Sequence, residues 1–254
     1  MVSSIMNSSE YSYGYHAIKS ILQVRPQDIL KLYVLSTRDD KRITEIIELA
    51  QKNKLSYKTL NKNDLNKLIG EDKNHQGVIA ECKPAKEMSE AQLIALVKNT
   101  KSAVILILDG VQDPHNLGAC LRSANAFGVT AMIIPKDRAA RLTEVAKKAA
   151  SGAAEITPLV TVTNLHRIIK QLQEAGVWFV GLDSDATLNI SAVDMTGSIG
   201  IIMGGEGQGM RRLTRECCDY LAQIPMCGNV ESLNVSVATG VSLYEMQRQR
   251  NKSK

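Results

Sequence analysis

The side chains best suited to chemistry lie in three polar segments, each directly after a short apolar run. Amides, a hydroxyl, a carboxylate and a guanidinium occur there, and such groups can orient a ligand, accept a proton and stabilise a developing negative charge. The candidates are Asn116 and Arg122 in residues 109–124, Glu206 in residues 203–210, and Ser232 and Asn234 in residues 224–234.

The second and third segments predict a ligand-binding site formed mainly by backbone groups. Glycines at 204, 205, 207 and 209 permit positive φ angles and close backbone approach, as phosphate-binding loops require. Residues 224–234 indicate a strand end, a turn and a helix start, which together expose N–H and C=O groups that can grip a nucleotide-like ligand. The glycine spacing differs from Gly-x-Gly-x-x-Gly and comes late in the chain, so we expect no nicotinamide cofactor.

The same residues also have purely structural interpretations. Arg122 is consistent with a solvated cation, Glu206 with a carboxylate stabilised at a helix entry, and Ser232 with the N-cap of a helix that starts there. A set of cations after the run at 131–135 is predicted to spread over one or two helical turns, as either a phosphate-binding face or a solvated one. These cations are Lys136, Arg138, Arg141, Lys147 and Lys148.

Short apolar runs that alternate with helical stretches must position these segments. This alternation predicts an α/β fold with a parallel sheet covered on both faces, and in such sheets ligands bind at the carboxyl ends of the strands. The predicted strands are 104–108, 131–135, 177–182, 199–203 and 221–225, and 183–198 is predicted to be irregular.

The N-terminal third indicates a separate small α/β domain. We predict a disordered stretch at 1–10, a domain at 11–83, a linker at 84–101 that runs into a short helix, and a second domain at 102–254. Residues 1–84 hold 13 Lys or Arg against 10 Asp or Glu, and five of the seven tyrosines. Aromatic rings beside cations suit single-stranded RNA, although each tyrosine taken singly is also typical of half-buried packing.

Composition narrows the class of protein. A formal charge of +5 and a pI near 8.9 favour an acidic partner such as nucleic acid. The five cysteines show no Cys-x-x-Cys spacing, so we expect reduced thiols in a cytoplasm, with neither a disulfide nor a metal. The apolar runs are too short to span a bilayer, and the N-terminus lacks a signal-peptide pattern, so we expect no membrane partner.

Three motifs resemble the SpoU family of RNA ribose 2′-O-methyltransferases, within the SPOUT class. They are Asp-Pro-x-Asn-x-Gly-x-x-x-Arg-Ser at 113–123, Gly-Gly-Glu-Gly-Gln-Gly at 204–209, and Ile-Pro-Met at 224–226 followed by Ser-Leu-Asn-Val-Ser-Val-Ala at 232–238. Tyr-Gly-Tyr-His-Ala-Ile at 13–18 and His-Gln-Gly-Val-Ile-Ala at 75–80 resemble the substrate-binding domain that precedes the catalytic domain in some members.

The resemblance implies a complete reaction. S-adenosylmethionine would be the methyl donor, held by backbone around Gly204, Ile224, Met226 and Leu233, and the acceptor would be the ribose 2′-hydroxyl of a guanosine in 23S rRNA, in the peptidyl-transferase region. It also implies a C-terminal trefoil knot and a homodimer through the C-terminal domain. The family's tRNA enzymes are one alternative, and a non-catalytic RNA-binding assembly factor is another.

The residue that removes the hydroxyl proton is left open. The resemblance assigns Arg122 to activation of the hydroxyl, reaching across the dimer. A guanidinium group has an ordinary pKa above about 12 and stays protonated at pH 7. Arg122 therefore either clamps a phosphate and stabilises the forming alkoxide, with Asn116, Ser232 and Asn234 orienting the ribose, or acts as a base in a desolvated pocket. Glu206 is the alternative base.

Overall fold

A computed structural model describes residues 9–36, 40–84 and 87–252 of the chain. It separates into two compact units, Met1–Lys86 and Glu87–Lys254. Most of the predicted disordered stretch, residues 1–8, lies outside the described residues, and Glu10 already begins a strand.

The described residues of the first unit form a four-stranded sheet with three α-helices. The sheet order is β1-β4-β2-β3, in which β1 and β2 are antiparallel to β4 and β2 is parallel to β3. The elements are β1 Glu10–Tyr13, α1 Tyr15–Val24, β2 Ile29–Leu35, α2 Lys41–Lys52, β3 Tyr57–Leu60, α3 Lys62–Ile69 and β4 Val78–Cys82.

The tyrosines of the first unit divide between packing and exposure. Tyr15 belongs to α1 and not to the preceding strand; it is buried, and its hydroxyl donates to Glu45. Tyr33 is also buried, whereas Tyr11 is 39% exposed on an edge strand. The structural interpretation therefore holds for Tyr15 and Tyr33, and Tyr11 is available for stacking.

The second unit is built on seven strands, and all of their pairings are parallel. Their order is β7-β6-β5-β10-β8-β11-β9. The elements are α4 Glu90–Lys98, β5 Val104–Asp109, α5 Pro114–Ala126, β6 Ala131–Pro135, α6 Glu144–Ala150, β7 Leu159–Val162, α7 Leu165–Glu174, β8 Trp178–Leu182, β9 Leu188–Asn189, β10 Ile199–Gly204, α8 Arg212–Glu216, β11 Tyr220–Gln223 and α9 Val235–Lys252.

Alternate residues of β5 serve two different cores. Leu106 and Leu108 pack in a cluster with residues of α5 and α9, whereas Ile105 and Ile107 pack in a cluster with residues of α4 and α7. Helices therefore cover both faces, as a parallel sheet requires. The predicted α/β class with a parallel sheet is confirmed. The trefoil knot stays a prediction.

Two details of the second unit differ from the sequence prediction. Residues 183–198 were expected to be irregular, but they contain β9 and bury Ile190, Val193 and Met195. These apolar residues are scattered among polar ones, so no run or period marks them. The short strand β7 was also not predicted. The segment 84–101 includes α4, whose Leu93 and Val97 are buried in the second unit's core.

Candidate functional site

The three motif segments leave the sheet at its carboxyl edge. Asp109 and Gly204 are register partners at the ends of β5 and β10, and Met203 and Ala222 both pair with Leu182 at the end of β8. Parallel neighbours lie roughly 4.8 Å apart. The ends of β5 and β11 are therefore separated by only the two strands between them, and their loops open on the same side.

Helix α5 begins with local capping that points Asn116 inward. The Asp113 carboxylate accepts a hydrogen bond from the His115 N–H at 3.0 Å, and Pro114 occupies the first turn, where its missing N–H costs nothing. Leu117 and Leu121 bury the next face of the helix. Asn116 is consequently only 8% exposed and faces the glycine segment.

A hydrogen-bonded chain joins all three segments. The Asn116 amide donates from Nδ2 to Glu206 Oε1 at 2.5 Å, and its Oδ1 accepts from Asn234 Nδ2 at 3.1 Å. Asn234 Oδ1 in turn accepts from the Ser236 N–H at 2.9 Å. Since an ionised carboxylate can only accept, the NH2 group of Asn116 must face Glu206. The structure thus brings together three of the five predicted catalytic residues.

The glycine loop is closed on itself and pressed against the neighbouring loop. Gly205 and Gly209 exchange two backbone hydrogen bonds of 3.2 and 3.0 Å, and Gly209 has a φ of 63°. A Cβ added at Gly204 would lie 2.3 Å from the Gly209 carbonyl carbon, and one at Gly205 would lie 2.4 Å from the Gly110 oxygen. Glycine is required here because any side chain would separate the two loops.

Arg122 and Ser232 lie outside this chain of hydrogen bonds. Arg122 is exposed on α5, six residues and therefore roughly 120° around the helix from Asn116, and it has no hydrogen-bond or ion-pair partner among the described residues. Ser232 is exposed as well. The prediction that Ser232 caps the last helix is wrong, because α9 begins at Val235 and the side chain of Asn234 caps its first turn instead.

The predicted donor-binding residues follow two strand ends on either side of β8. Gly204 ends β10, and the half-buried Ile224 follows β11. Met226 is 37% exposed, and Leu233 is half-buried in the irregular segment before α9. Their role with the donor stays a prediction, and the structure gives them a common edge of the sheet.

The cations at 136–148 do not form the single helical face that was predicted. Helix α6 begins at Glu144, so only Lys147 and Lys148 lie on it, and Arg138 sits in a loop with a φ of 56°. The prediction of one or two helical turns through all of them is wrong. Lys136, Arg138 and Arg141 precede α6 and are exposed.

Asp109 is a site residue that the sequence reasoning missed. It is fully buried, accepts a hydrogen bond from the Arg211 N–H at 2.9 Å, and its second oxygen lies 3.4 Å from Arg211 Nε. Arg211 also donates to the Asp137 carbonyl at 3.1 Å. The signal was present: an acidic residue ending an otherwise apolar buried strand needs a partner.

A cavity of about 240 Å³ opens between the loop after β5 and the glycine loop, and Arg211 lines it. Among the described residues, no cluster of three or more His, Cys, Asp or Glu side chains could hold a metal ion. Within residues 9–36, 40–84 and 87–252, no helix has the length and apolar character needed to cross a bilayer.

Two family descriptions match the two units. The SpoU rRNA Methylase family matches residues 103–244, more than half of the chain, and the RNA 2′-O ribose methyltransferase substrate-binding family matches residues 11–88. Curated relatives include the 23S rRNA (guanosine-2′-O-)-methyltransferase RlmB of Coxiella burnetii, 52% identical over 96% of this chain and 98% of the relative. The RlmB of Vibrio cholerae is 49% identical over 96% and 98%.

Solved structures share the fold. The SpoU methyltransferase AviRb from Streptomyces viridochromogenes superposes with a TM-score of 0.77 at 21% identity, covering 97% of this chain and 91% of its own. A TrmH/SpoU tRNA-modifying enzyme of A. aeolicus gives 0.56 at 29% identity, covering 65% and 83%. The chain therefore belongs to the SpoU rRNA methylase family, with a substrate-binding domain of the RNA ribose 2′-O-methyltransferase type ahead of its methylase domain.

Proposed function

We propose that this chain transfers a methyl group from S-adenosylmethionine to the ribose 2′-hydroxyl of a guanosine in 23S rRNA. The observation that carries the proposal is the hydrogen-bonded chain of Glu206, Asn116 and Asn234, which joins all three family motifs at one edge of the sheet. Relatives named as 23S rRNA guanosine 2′-O-methyltransferases, about half identical over nearly the whole chain, support the substrate.

In the proposed reaction, some residues of the hydrogen-bonded chain orient the ribose and another accepts a proton. Asn116 and Asn234 are held in fixed orientations and present amide groups to a ribose, and the exposed Ser232 lies two positions before Asn234 in the sequence. Glu206 is exposed on its other side and lies within the same network, which suits proton acceptance. Holding the hydroxyl in line with the donor supplies much of the acceleration.

Arg122 acts in this proposal by stabilising charge. Its side chain is exposed, so a single copy of the chain gives it no desolvated pocket in which to lose a proton. A protonated guanidinium suits an RNA phosphate and a forming alkoxide. We therefore assign clamping to Arg122 and proton acceptance to Glu206.

The donor fits the carboxyl edge on the β8 side of the glycine loop. S-adenosylmethionine supplies an electrophilic methyl group on a sulfonium. Gly204 offers backbone groups at the end of β10, while Ile224, Met226 and Leu233 offer apolar surface. Solved SpoU relatives include AviRb in complex with AdoMet and an AdoMet-bound rRNA methyltransferase from Sinorhizobium meliloti.

A homodimer through the C-terminal domain completes the proposed site. Val237, Val241 and Tyr244 are 50%, 39% and 60% exposed, and their spacing puts them on one stripe of α9, opposite its buried face. The same stripe neighbours α5 through the ring contact of Phe127 with Tyr244. A second copy covering this stripe would bring the exposed Arg122 near a partner's site.

Ribosomal RNA is favoured over tRNA by the extent of the likeness. The RlmB relatives match both units, and residues 11–88 match a substrate-binding family by themselves. The tRNA-modifying enzyme of A. aeolicus covers 65% of this chain. The proposal places the enzyme in the cytoplasm, in keeping with a cysteine pattern that suits reduced thiols.

Methyl transfer with tritiated S-adenosylmethionine tests the proposal. We expect incorporation into 23S rRNA from a strain that lacks the cognate 2′-O-methylation, and a single alkali-resistant position on mapping. Bulk tRNA is the matched acceptor control. Labelling of tRNA alone would overturn the proposal and indicate a tRNA ribose 2′-O-methyltransferase of the same family. RNA binding without any label would indicate a non-catalytic assembly factor.

A further inference from the structure

The cavity beside the glycine loop is lined by none of the proposed donor residues Gly204, Ile224, Met226 and Leu233. Its walls are the loop after β5, with Gly110 and Gln112, the glycine loop, with Glu206 and Gln208, and two arginines, Arg138 and Arg211. Glu206 borders this cavity and also holds Asn116. A nucleotide whose ribose lies against Asn116 therefore has the cavity directly within reach of its base.

The cavity suits one ring system. Its volume of about 240 Å³ is below the ~300–1,000 Å³ of pockets that enclose drug-sized ligands. The walls are held in place, since the Val111 carbonyl accepts from the Ala140 N–H at 2.8 Å and Gly205 rests on Gly110. A base entering here meets a preformed surface.

Charge balance distinguishes a base from a phosphate. Two cations, Arg138 and Arg211, line the cavity together with two carboxylates, Asp109 and Glu206, so the lining has no net charge. A phosphate site would carry an excess of positive charge. Gln112 and Gln208 add donors and acceptors, and neither has a hydrogen-bond partner among the described residues.

Arg211 is oriented before any ligand arrives. Asp109 holds its backbone N–H and lies 3.4 Å from its Nε, and the Asp137 carbonyl accepts from its Nη2 at 3.1 Å. The side chain remains 43% exposed toward the cavity. A guanidinium fixed in this way presents its remaining N–H groups as a planar fork, which matches the O6 and N7 acceptors of guanine.

We propose that this cavity receives the guanine base of the target nucleotide and that Arg211 reads the O6/N7 edge of that base. The inference rests on the proposed function and deepens it by naming the residue that selects the base. Gln112 and Gln208 also line the cavity, and their side-chain oxygens are able to accept hydrogen bonds from the N–H groups of guanine.

Base analogues in the target position test this inference. RNA fragments with guanosine, 7-deazaguanosine or adenosine at the methylated position are compared by kcat/KM, with the wild-type chain and with Arg211→Lys. Removal of N7 should slow the wild-type enzyme on the order of 10- to 100-fold. Arg211→Lys keeps the charge but loses the fork, so it should methylate guanosine and 7-deazaguanosine at nearly equal, reduced rates.

Arg212→Lys is the matched control, because Arg212 is the next residue, is exposed and pairs with Glu216 outside the cavity lining. It should keep the wild-type discrimination. Equal wild-type rates on guanosine and 7-deazaguanosine would overturn the inference. The inference would also be overturned if Arg211→Lys lowered kcat/KM for all three fragments by the same factor and reduced the salt dependence of RNA binding. That result would identify a phosphate contact. A wild-type enzyme that methylates neither fragment nor intact 23S rRNA would overturn the proposed function itself, and the inference with it.

Discussion

Asn116 occupies a position that requires a donor on one side and an acceptor on the other. It donates to the Glu206 carboxylate and accepts from the Asn234 amide, and it is almost completely buried. An amide meets both demands without a net charge, and it does so from two separate atoms. The proposed methyl transfer at the carboxyl edge of the sheet therefore depends on Asn116 keeping its orientation.

Replacing Asn116 with Asp tests that dependence. The variant loses the donated hydrogen bond and sets a second carboxylate against Glu206, so we expect kcat for methyl transfer to fall roughly 10²- to 10³-fold. Asn164→Asp is the matched control, because Asn164 caps α7 and Asp caps a helix equally well. Wild-type turnover by Asn116→Asp in a tritium-transfer assay would contradict the assigned role.

Cys227 provides a chemical test of donor placement that does not require turnover. Burial raises the pKa of the Cys120 thiol to about 11 and that of the Cys218 thiol to about 12, so both stay protonated and unreactive at pH 8. Cys227 is exposed and follows Met226 directly. We expect a single fast-reacting thiol in an Ellman titration at pH 8, lost in Cys227→Ser and slowed several-fold by S-adenosylmethionine.

The donor analogue S-adenosylhomocysteine should slow Cys227 in the same way, whereas adenosine at the same concentration serves as the weak-binding comparison. A modification rate that saturating donor leaves unchanged would mean that residues 224–234 do not enclose the donor.

At the residue scale, the sequence predicted site residues that lie within the three motifs. It did not predict the contacts between residues that are far apart in the sequence and adjacent only in the fold. Asn116, Glu206 and Asn234 were named from their segments, and the structure joins them. Asp109 was not named, because its partner Arg211 lies 102 positions along the chain. The cap was assigned to Ser232 although Asn234 performs it, since both residue types are favoured at N-caps.

The glycine loop and the loop after β5 are in direct backbone contact, between Gly205 of the glycine loop and the Gly110 oxygen. Gly205 lies so near the Gly110 oxygen that no side chain fits between them. This contact forms one side of the proposed base cavity and fixes where Glu206 points.

Gly205→Ala should therefore separate the two loops. The added methyl group meets backbone, which cannot rotate away as a side chain would, so we expect methyl transfer to fall at least tenfold. Gly197→Ala is the matched control, because an added methyl at Gly197 meets nothing within 4 Å and its φ is not positive. Kinetics and thermal unfolding of both variants decide the matter, and an unimpaired Gly205→Ala enzyme would show that the contact is dispensable.

At the element scale, the continuous apolar runs were predictable and the interrupted ones were not. The strands β5, β6, β8, β10 and β11 coincide with short, mostly apolar runs, and the structure contains all five. The strand β9 is two residues long and pairs only with β11, so its existence depends on a neighbour that no local pattern reveals. Helix α6 begins later than its cations suggested, because Thr143 caps it.

At the scale of the whole molecule, the second unit presents an apolar stripe that a single copy leaves uncovered. The stripe of Val237, Val241 and Tyr244 on α9 is apolar and exposed, whereas the opposite side of the helix contributes the buried Leu243 and Met246. Exposed Arg122 is carried by α5, which packs against α9. Covering the stripe with a second copy would remove apolar surface from water and bring the neighbouring arginine near the site of the partner.

Val241→Lys should convert the protein to monomers and abolish methyl transfer, because a charge in the middle of the stripe opposes its burial. Leu30→Lys is the matched control, since Leu30 is 46% exposed on a strand of the first unit. Light scattering after size exclusion measures the oligomeric state. A Val241→Lys variant that stays dimeric, or a wild-type protein that is already monomeric, would contradict the proposed interface. A fully active monomeric variant would contradict the proposed action of Arg122 across it.

The glycine loop is a partition shared by the two proposed sites, because Gly204 belongs to the proposed donor site and Gly205, Glu206 and Gln208 line the cavity proposed for the nucleobase. Any displacement of this partition that improves the fit on one side alters the fit on the other, so the two binding equilibria are coupled. Thermodynamic reciprocity then sets a strict relation: the factor by which donor changes RNA affinity equals the factor by which RNA changes donor affinity. Binding of the donor or of the RNA therefore changes the affinity of the protein for the other substrate.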